Sequence, residues 1–261
     1  MVSWAIVGAT RGIGSGNSQN TVVALIRSQS TAGPLNQLAA SRKNIHVVET
    51  DISKSSQLKE TAKKVGSLIG GKLDVLIYNA YSAGTEAATL PPSAFADKED
   101  DLEREIFDGI RVNTLQLAFT VNAFLPLIRQ SELKKIVYIT SGFGDHNVTR
   151  VCETPALLGY CVSKASGNML MAKYAAELKQ EGIKTLSLSP GWVGTDGAKK
   201  VTETPELFEY LLSSFQKYDP SVKGMITTPD SVREQLAVID SLDASNSGKF
   251  LSHHGGLDDW F

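Results

Sequence analysis

Tyr160 and Lys164 are spaced so that, on a helix, both project from one face about one turn apart. A phenol of ordinary pKa, about 10, exchanges protons poorly at neutral pH, and an ammonium beside it stabilises the phenolate and brings it toward the working range. That pairing suits acid-base work on an alcohol or a ketone. A second stretch of chemical interest opens the chain, where the apolar run from Val2 to Val7 stops at a loop with glycines at 8, 12 and 14. A strand that turns into bare backbone in this way reads as a cradle for a nucleotide pyrophosphate. Each pattern is weak alone, since a chain with 22 glycines and 7 tyrosines makes such spacings by chance. Their places in the fold give them weight.

The elements that must carry these residues follow from hydrophobic periodicity. Apolar, β-branched runs at 22–26, 45–49, 73–77, 136–139 and 184–188 predict strands after the first, and 249–251 closes the series. Helical spacing marks 34–42, 53–69, 97–126, 156–180, 206–215 and 231–239. The alternation predicts one α/β domain over residues 1–261, a Rossmann-type doubly wound parallel sheet of about seven strands. Ligands bind such sheets at the carboxyl ends of the strands. Those ends carry the glycine loop, Arg27, Asp51, Asn79-Ala80, Ser141 and Pro190-Gly191. Arg11 in the glycine loop and Arg27 after the second strand suit a phosphate on an adenosine ribose, and no acidic residue ends that strand to repel it. The cofactor expected on these grounds is NADP(H) rather than NAD(H).

Composition narrows the field. A formal charge of −2 over 261 residues supplies no field for nucleic acid, and no apolar run reaches the length of a membrane span or a signal sequence. A cytoplasmic protein acting on small molecules is expected. Cys152 and Cys161 are too few for a disulfide framework, and their spacing is not that of metal ligands, so no metal is expected.

Taken together, Gly8-x-x-x-Gly12-Ile13-Gly14, Asp51, Asn79-Ala80, Asn113, Ser141, Tyr160-x-x-x-Lys164 and Pro190-Gly191-x-x-x-Thr195 occur in an order and at intervals that resemble the short-chain dehydrogenases/reductases over essentially the whole chain. The ending from Gly248 to Trp260 and the Arg-Ser after the second strand look most like carbonyl-reductase-like members, many of them fungal. The resemblance implies that Tyr160 protonates a carbonyl oxygen while hydride arrives from a nicotinamide. Lys164 would lower the Tyr160 pKa and hold the nicotinamide ribose, Ser141 would hydrogen-bond the substrate oxygen, and Asn113 would support a water leading from Lys164. Gly8, Thr10, Arg11, Gly12, Ile13 and Gly14 would surround the pyrophosphate and the adenosine phosphate. Asp51 and Ile52 would meet the adenine, Asn79 and Ala80 the ribose, and Pro190, Gly191, Val193 and Thr195 the carboxamide. The substrate would be a small carbonyl or alcohol, and the family's habit of pairing through the helices of Asn113 and Tyr160 implies a homodimer or homotetramer.

The chain departs from that pattern in places. Val7 stands where the family usually has Thr, and Tyr81 is expected to crowd the turn after the fourth strand, which a glycine normally relaxes. Ser141 and Tyr160 lie further apart than usual, so an insertion at 145–154 is expected to shape the substrate mouth, with Phe143, Trp192, Phe208 and Phe215 either offering an apolar lining or simply packing a core. His253 and His254 read as polar surface. The largest departure is the first crossover. Gly8 to Thr21 is 14 residues, near the minimum of about a dozen for a parallel return, so the first crossover helix is expected to be short or absent. That helix's amino end would hold the pyrophosphate. Either the protein does without it, or splicing or gene prediction has removed a segment. Two functions therefore stand: an NADPH-dependent reductase of a ketone or aldehyde, and a catalytically weak or inactive nucleotide-binding relative. An extended epimerase or dehydratase ranks last, because little chain follows the sixth strand.

Overall fold

The computed structural model describes residues 1–9, 20–195 and 198–261. The first crossover and the side chains of Thr10, Arg11, Gly12, Ile13 and Gly14 lie outside the described residues, so the expected shortening of that helix is not addressed by them. The strands are β1 (Ser3–Val7), β2 (Thr21–Ile26), β3 (Ile45–Glu49), β4 (Val75–Tyr78), β5 (Lys135–Ile139), β6 (Lys184–Leu188) and β7 (Phe250–Leu251). They form a seven-stranded sheet in the order β3-β2-β1-β4-β5-β6-β7, parallel at every pairing. This is the Rossmann-like α/β fold that the periodicity predicts.

The helices are α1 (Gly33–Ser41), α2 (Ser55–Leu68), α3 (Glu99–Ile110), α4 (Gln116–Arg129), α5 (His146–Cys152), α6 (Leu158–Leu178), α7 (Lys199–Thr202), α8 (Pro205–Tyr218) and α9 (Thr228–Asp240). Strand residues alternate between the faces, as a pleat requires. Ala5, Val7, Val23, Leu25, Leu76 and Tyr78 pack with Leu58 and Val65 of α2, Leu117 and Phe124 of α4 and Met171 of α6. Ile6, Ala24, Val75, Ile77 and Val137 pack on the other face with Leu35 and Leu38 of α1 and Val238 and Ile239 of α9. Both faces are covered, which explains why the strands read as continuous apolar runs rather than as alternating ones.

The single helix expected over 97–126 is α3 and α4 joined by a π-helical turn, Arg111–Leu115, with Asn113 inside it. A π turn accommodates one extra residue and often marks a functional site. The insertion at 145–154 is helical too: Asp145 caps α5 by accepting from the Asn147 N–H at 2.9 Å, and Glu153, at φ 52, ends it. Val148 and Cys152 of α5 bury themselves against Phe215 of α8.

Because β1 is followed on one side by β2 and on the other by β4, the connections diverge at the carboxyl ends of β1 and β4, where a doubly wound sheet opens its crevice. Gly8, at φ 77, lies so close to β4 that a Cβ would sit 2.7 Å from the Ala80 nitrogen. Beside this crevice α3 and α6 touch backbone to backbone. A Cβ on Gly109 would meet the Gly159 carbonyl oxygen at 2.8 Å, and one on Gly159 would meet the Glu105 carbonyl oxygen at 2.1 Å.

Gly159→Ala must push α6 away from α3 and take Tyr160 with it. A loss of about 1–3 kcal/mol in urea unfolding is expected. Gly33→Ala, where nothing lies within 4 Å of the new methyl, should leave stability unchanged or raise it by about 0.5 kcal/mol. Equal losses in the two variants would contradict the close helix contact.

Candidate active site

The site is built from the carboxyl ends of β1, β4, β5 and β6 and from the first turns of α6. Ser141 follows β5 in extended backbone, φ −163, and its Oγ accepts from the Phe143 N–H at 3.2 Å. Lys164, one helical turn beyond Tyr160, is 2% exposed. Its Nζ donates to the Ile139 carbonyl at 2.9 Å and lies 4.8 Å from the centroid of the Tyr138 ring. The same ammonium is 5.6 Å from the Tyr160 ring centroid and 5.9 Å from that of Tyr81. The structure thus brings Ser141, Tyr160 and Lys164 to one strand end.

Burial dominates the titration of both groups. It lowers Lys164 to about 7, because an ammonium out of water loses its hydration. It pushes Tyr160 up to about 12, while a hydrogen bond with the Ser141 hydroxyl pulls the phenol back down.

Asn113 is fully buried and acts as a strut. Its Oδ1 accepts from the Ser82 N–H at 3.0 Å, and its Nδ2 donates to the Ser82 carbonyl at 3.0 Å and to the Ser163 Oγ at 2.8 Å. Ser163 Oγ in turn donates to the Tyr160 carbonyl at 2.7 Å. Asn113 therefore ties the segment after β4 to the turn of α6 that carries Tyr160. Both of its amide hydrogens are committed to protein acceptors. Ser82, Ser163 and Tyr138 escaped the sequence reading. Ser163 precedes Lys164, but a serine there carries no pattern of its own, and Tyr138 reads as one more apolar strand residue.

The remaining expected residues line the same rim. Asn79 donates from Nδ2 to the Gly8 carbonyl at 3.1 Å, closing β4 over β1, and Ala80 follows it. Arg27 is exposed just past β2. Asp51 Oδ1 accepts from the Ser53 N–H at 3.0 Å and the Ser53 hydroxyl at 2.6 Å. These bonds hold its carboxyl below its usual pKa and form a turn that carries Ile52, itself half-buried against the core. Pro190 accepts from the Ser231 hydroxyl at 2.6 Å, Gly191 turns at φ 87, and Val193 bridges to Ile226. Thr195 is exposed beyond them.

Two expectations, for Tyr81 and His253, are corrected, and the open choice for Phe215 falls to core. Tyr81 does not crowd its turn: it is 55% exposed on backbone without positive φ, facing the Lys164 ammonium. Phe215 is core at 2% exposure, because α5 and the chain end close over it. Phe261 stacks on it at 4.2 Å, and Phe143 and Trp192 meet its edge at 5.8 and 4.8 Å. Phe143, Trp192 and Phe208 stay half-buried, the last two stacked on each other at 5.4 Å. His253 is buried, 1% exposed, because the chain after β7 turns back beneath α9 and lays this ring against the Gly191 turn. Cys152 and Cys161 are free thiols, each raised to about 11 by burial. Among the described residues no helix is long and apolar enough to cross a membrane.

A doubly wound sheet whose strand ends bring together a serine, a tyrosine and a buried lysine defines the class of dehydrogenase-like α/β proteins. The comparisons narrow the class. The sequence profile of the short chain dehydrogenases matches residues 4–206. The short-chain dehydrogenase/reductase atnB of Arthrinium sp is 50% identical over 262 residues, covering 98% of both chains. The short-chain dehydrogenase/reductase AacuF of Aspergillus aculeatus is 37% identical over 268 residues, again covering 98% of both. Among solved structures, the NADPH-bound carbonyl reductase from chicken fatty liver superposes with TM-score 0.74 at 24% identity, over 99% of this chain and 98% of that one. The carbonyl reductase Sniffer of D. melanogaster gives 0.77 at 20% identity, over 98% of each. The chain belongs to the short-chain dehydrogenase/reductase family of oxidoreductases.

The lowered Lys164 carries a stability signature. Its proton leaves the folded protein near pH 7 but stays on the unfolded chain up to its ordinary 10.5. Between those values the unfolded state binds more protons, so this lysine makes stability rise with pH; below pH 7 its full burial cost is present. Lys164→Met should therefore gain most over the wild type at pH 6.5, with the advantage shrinking toward pH 10, as read by urea unfolding across that range. A difference that does not change with pH would place the ammonium in water.

Proposed function

We propose that the protein is an NADPH-dependent reductase of a ketone or aldehyde carbonyl, working as a single domain, and that Tyr160 is its proton donor. The observation that carries this reading is the convergence of the Ser141 hydroxyl, the Tyr160 phenol and the buried Lys164 ammonium at the end of β5. The family's chemistry is NAD(P)-dependent, and the donor set suits such a cofactor. After its bond to Ile139, the Lys164 ammonium retains donors for ribose hydroxyls. The Gly8–Ala80 contact leaves backbone, not side chains, at the crevice floor. A bound nicotinamide dinucleotide supplies the hydride.

Gly8, Asn79, Ala80, Asp51 and Ile52 would hold its adenosine and ribose portion, together with Thr10, Arg11, Gly12, Ile13 and Gly14. Pro190, Gly191, Val193 and Thr195 would hold the carboxamide. Ser141 would donate a hydrogen bond to the carbonyl oxygen of the substrate and, beside Tyr160, helps aim the phenolic proton at that oxygen. Tyr160 gives up its proton as negative charge develops there, a task eased when Lys164 is charged, since the cation favours the phenolate. Burial holds the two pKa values far apart in the free protein. Lys164 would be held in its ammonium form by the negative charge that a bound dinucleotide would supply, and the acidity of Tyr160 would rise with it. Asn113 positions rather than reacts: its side chain joins Ser82 to Ser163 and so fixes the turn of α6 from which Tyr160 and Lys164 project. Trp192, Phe208 and Tyr81 flank the mouth and favour an apolar substrate.

The NADP-bound short-chain dehydrogenase/reductase from Burkholderia multivorans and the NADPH-bound chicken enzyme support the cofactor choice, as does the exposed Arg27 where an acidic residue would select NADH. Purified protein should oxidise NADPH against a panel of aromatic and aliphatic carbonyls. Tyr160→Phe should lower kcat by about 10²–10⁴-fold, with NADPH binding by fluorescence titration kept within about threefold. Binding of NADPH without turnover of any carbonyl, or a Tyr160→Phe enzyme as fast as the wild type, would select the inactive nucleotide-binding relative instead. Arg27→Ala should weaken NADPH by about tenfold and leave NADH unchanged, the loss of one charge-assisted phosphate contact. Equal effects on both cofactors would assign the ribose phosphate elsewhere.

A further inference from the structure

Behind the Pro190-Gly191 turn lies a cluster that the reductase reading does not use. Glu234 projects from α9, and His253 and His254 follow β7. One liganding atom from each of the three lies within 4.8 Å of the other two. Glu234 Oε2 is 3.7 Å from His253 Nε2 and 3.6 Å from His254 Nε2. The two imidazoles face each other with centroids 3.9 Å apart. Neither nitrogen of the buried His253 has a hydrogen-bond partner. A buried ring with both nitrogens unspoken for is costly to keep unless something outside the polypeptide satisfies it.

We propose that Glu234, His253 and His254 form a binding site for one divalent transition ion of the zinc type. Two imidazoles and one carboxylate are the ligands such ions prefer, where calcium and magnesium take oxygen. Two ligands bound at about 2.1 Å to one tetrahedral ion lie about 3.4 Å apart, so the two carboxylate–imidazole separations need only a slight contraction, while the exposed His254 ring must swing away from the His253 face to aim its nitrogen at the same ion. Asp259 completes the arrangement from outside. Its Oδ2 is 3.4 Å from His254 Nδ1, which directs that ring's proton to Nδ1 and leaves Nε2 with a free lone pair toward Glu234. An ion held here pins the turn after β7 to α9. It sits directly behind Gly191, where a Cβ would come within 3.0 Å of His253 Nε2. Ser231 of the same helix already bonds Pro190, so the ion stiffens the wall of the crevice without entering it. Sequence spacing concealed the site, since its third ligand comes from a helix far upstream and adjacent histidines are no metal pattern alone.

The test uses the full chain, purified without a polyhistidine tag and freed of metal by chelation. Titration with Co(II) should give the visible bands of a low-coordinate cobalt site that saturate at one equivalent and disappear on adding one equivalent of Zn(II). Glu234→Gln and His254→Ala both replace partly exposed side chains and should fold with the metal-free melting temperature of the wild type. Both should lose the bands, and Zn(II) should raise the melting temperature of the wild type but of neither variant. A cobalt spectrum that remains that of the aqueous ion, or bands that persist undiminished in both variants, would overturn the proposal.

Discussion

The Lys164 ammonium and the Ile139 carbonyl share the hydrogen bond on which the site's geometry rests. A lysine this deep loses its water, and the carbonyl at the end of β5 together with the face of Tyr138 is what it receives in return. That bond locks the register of α6 against the last residue of the strand that presents Ser141. Tyr160, one turn back on the same helix, is thereby carried to the serine. The price is an ammonium that is half willing to be neutral at physiological pH. Structure and reactivity thus pull on the same nitrogen, and the charge of whatever lies in the crevice decides which prevails.

The second constraint is backbone proximity. Gly109 and Gly159 let α3 and α6 approach until main chain meets main chain, and the π turn at Asn113 then directs an amide side chain into the seam between Ser82 and Ser163. Neither device uses the chemistry-bearing side chains. Both fix where those side chains begin.

Much of this was legible in the sequence, and the pattern of success has a physical basis. Strands buried on both faces leave long apolar runs, and helices that cover them leave stripes, so the order of elements and the rim of strand ends were readable. Asn79 and Ser141 could be marked as candidates because ligands gather at strand ends, and Tyr160 and Lys164 because their spacing puts both on one face of the helix that follows. What stayed hidden depends on contacts between distant segments. The helical fold of the insertion, the burial of Phe215 and the internal place of His253 all arise where α5, α8, α9 and the residues after β7 converge, and local periodicity is silent about which segments converge. Asn113 was marked as a site residue, but its role as a strut required knowing that Ser82 and Ser163 lie on either side of it. The glycine loop that first suggested a nucleotide lies largely outside the described residues, so the weight of the cofactor reading falls on Gly8 and the ends of β2, β3, β4 and β6.

Trp260 packs so tightly over Gly142 that a Cβ there would come within 2.6 Å of the Trp260 Cβ, and the indole stacks on Phe250 at 4.1 Å. The residue next to the site serine is thus walled in by one more than a hundred positions later. During synthesis, a nascent chain that has already exposed every candidate catalytic side chain still lacks this wall, along with the edge strand that carries Phe250. The order in which the ribosome releases the chain therefore separates possession of the reactive groups from possession of the site.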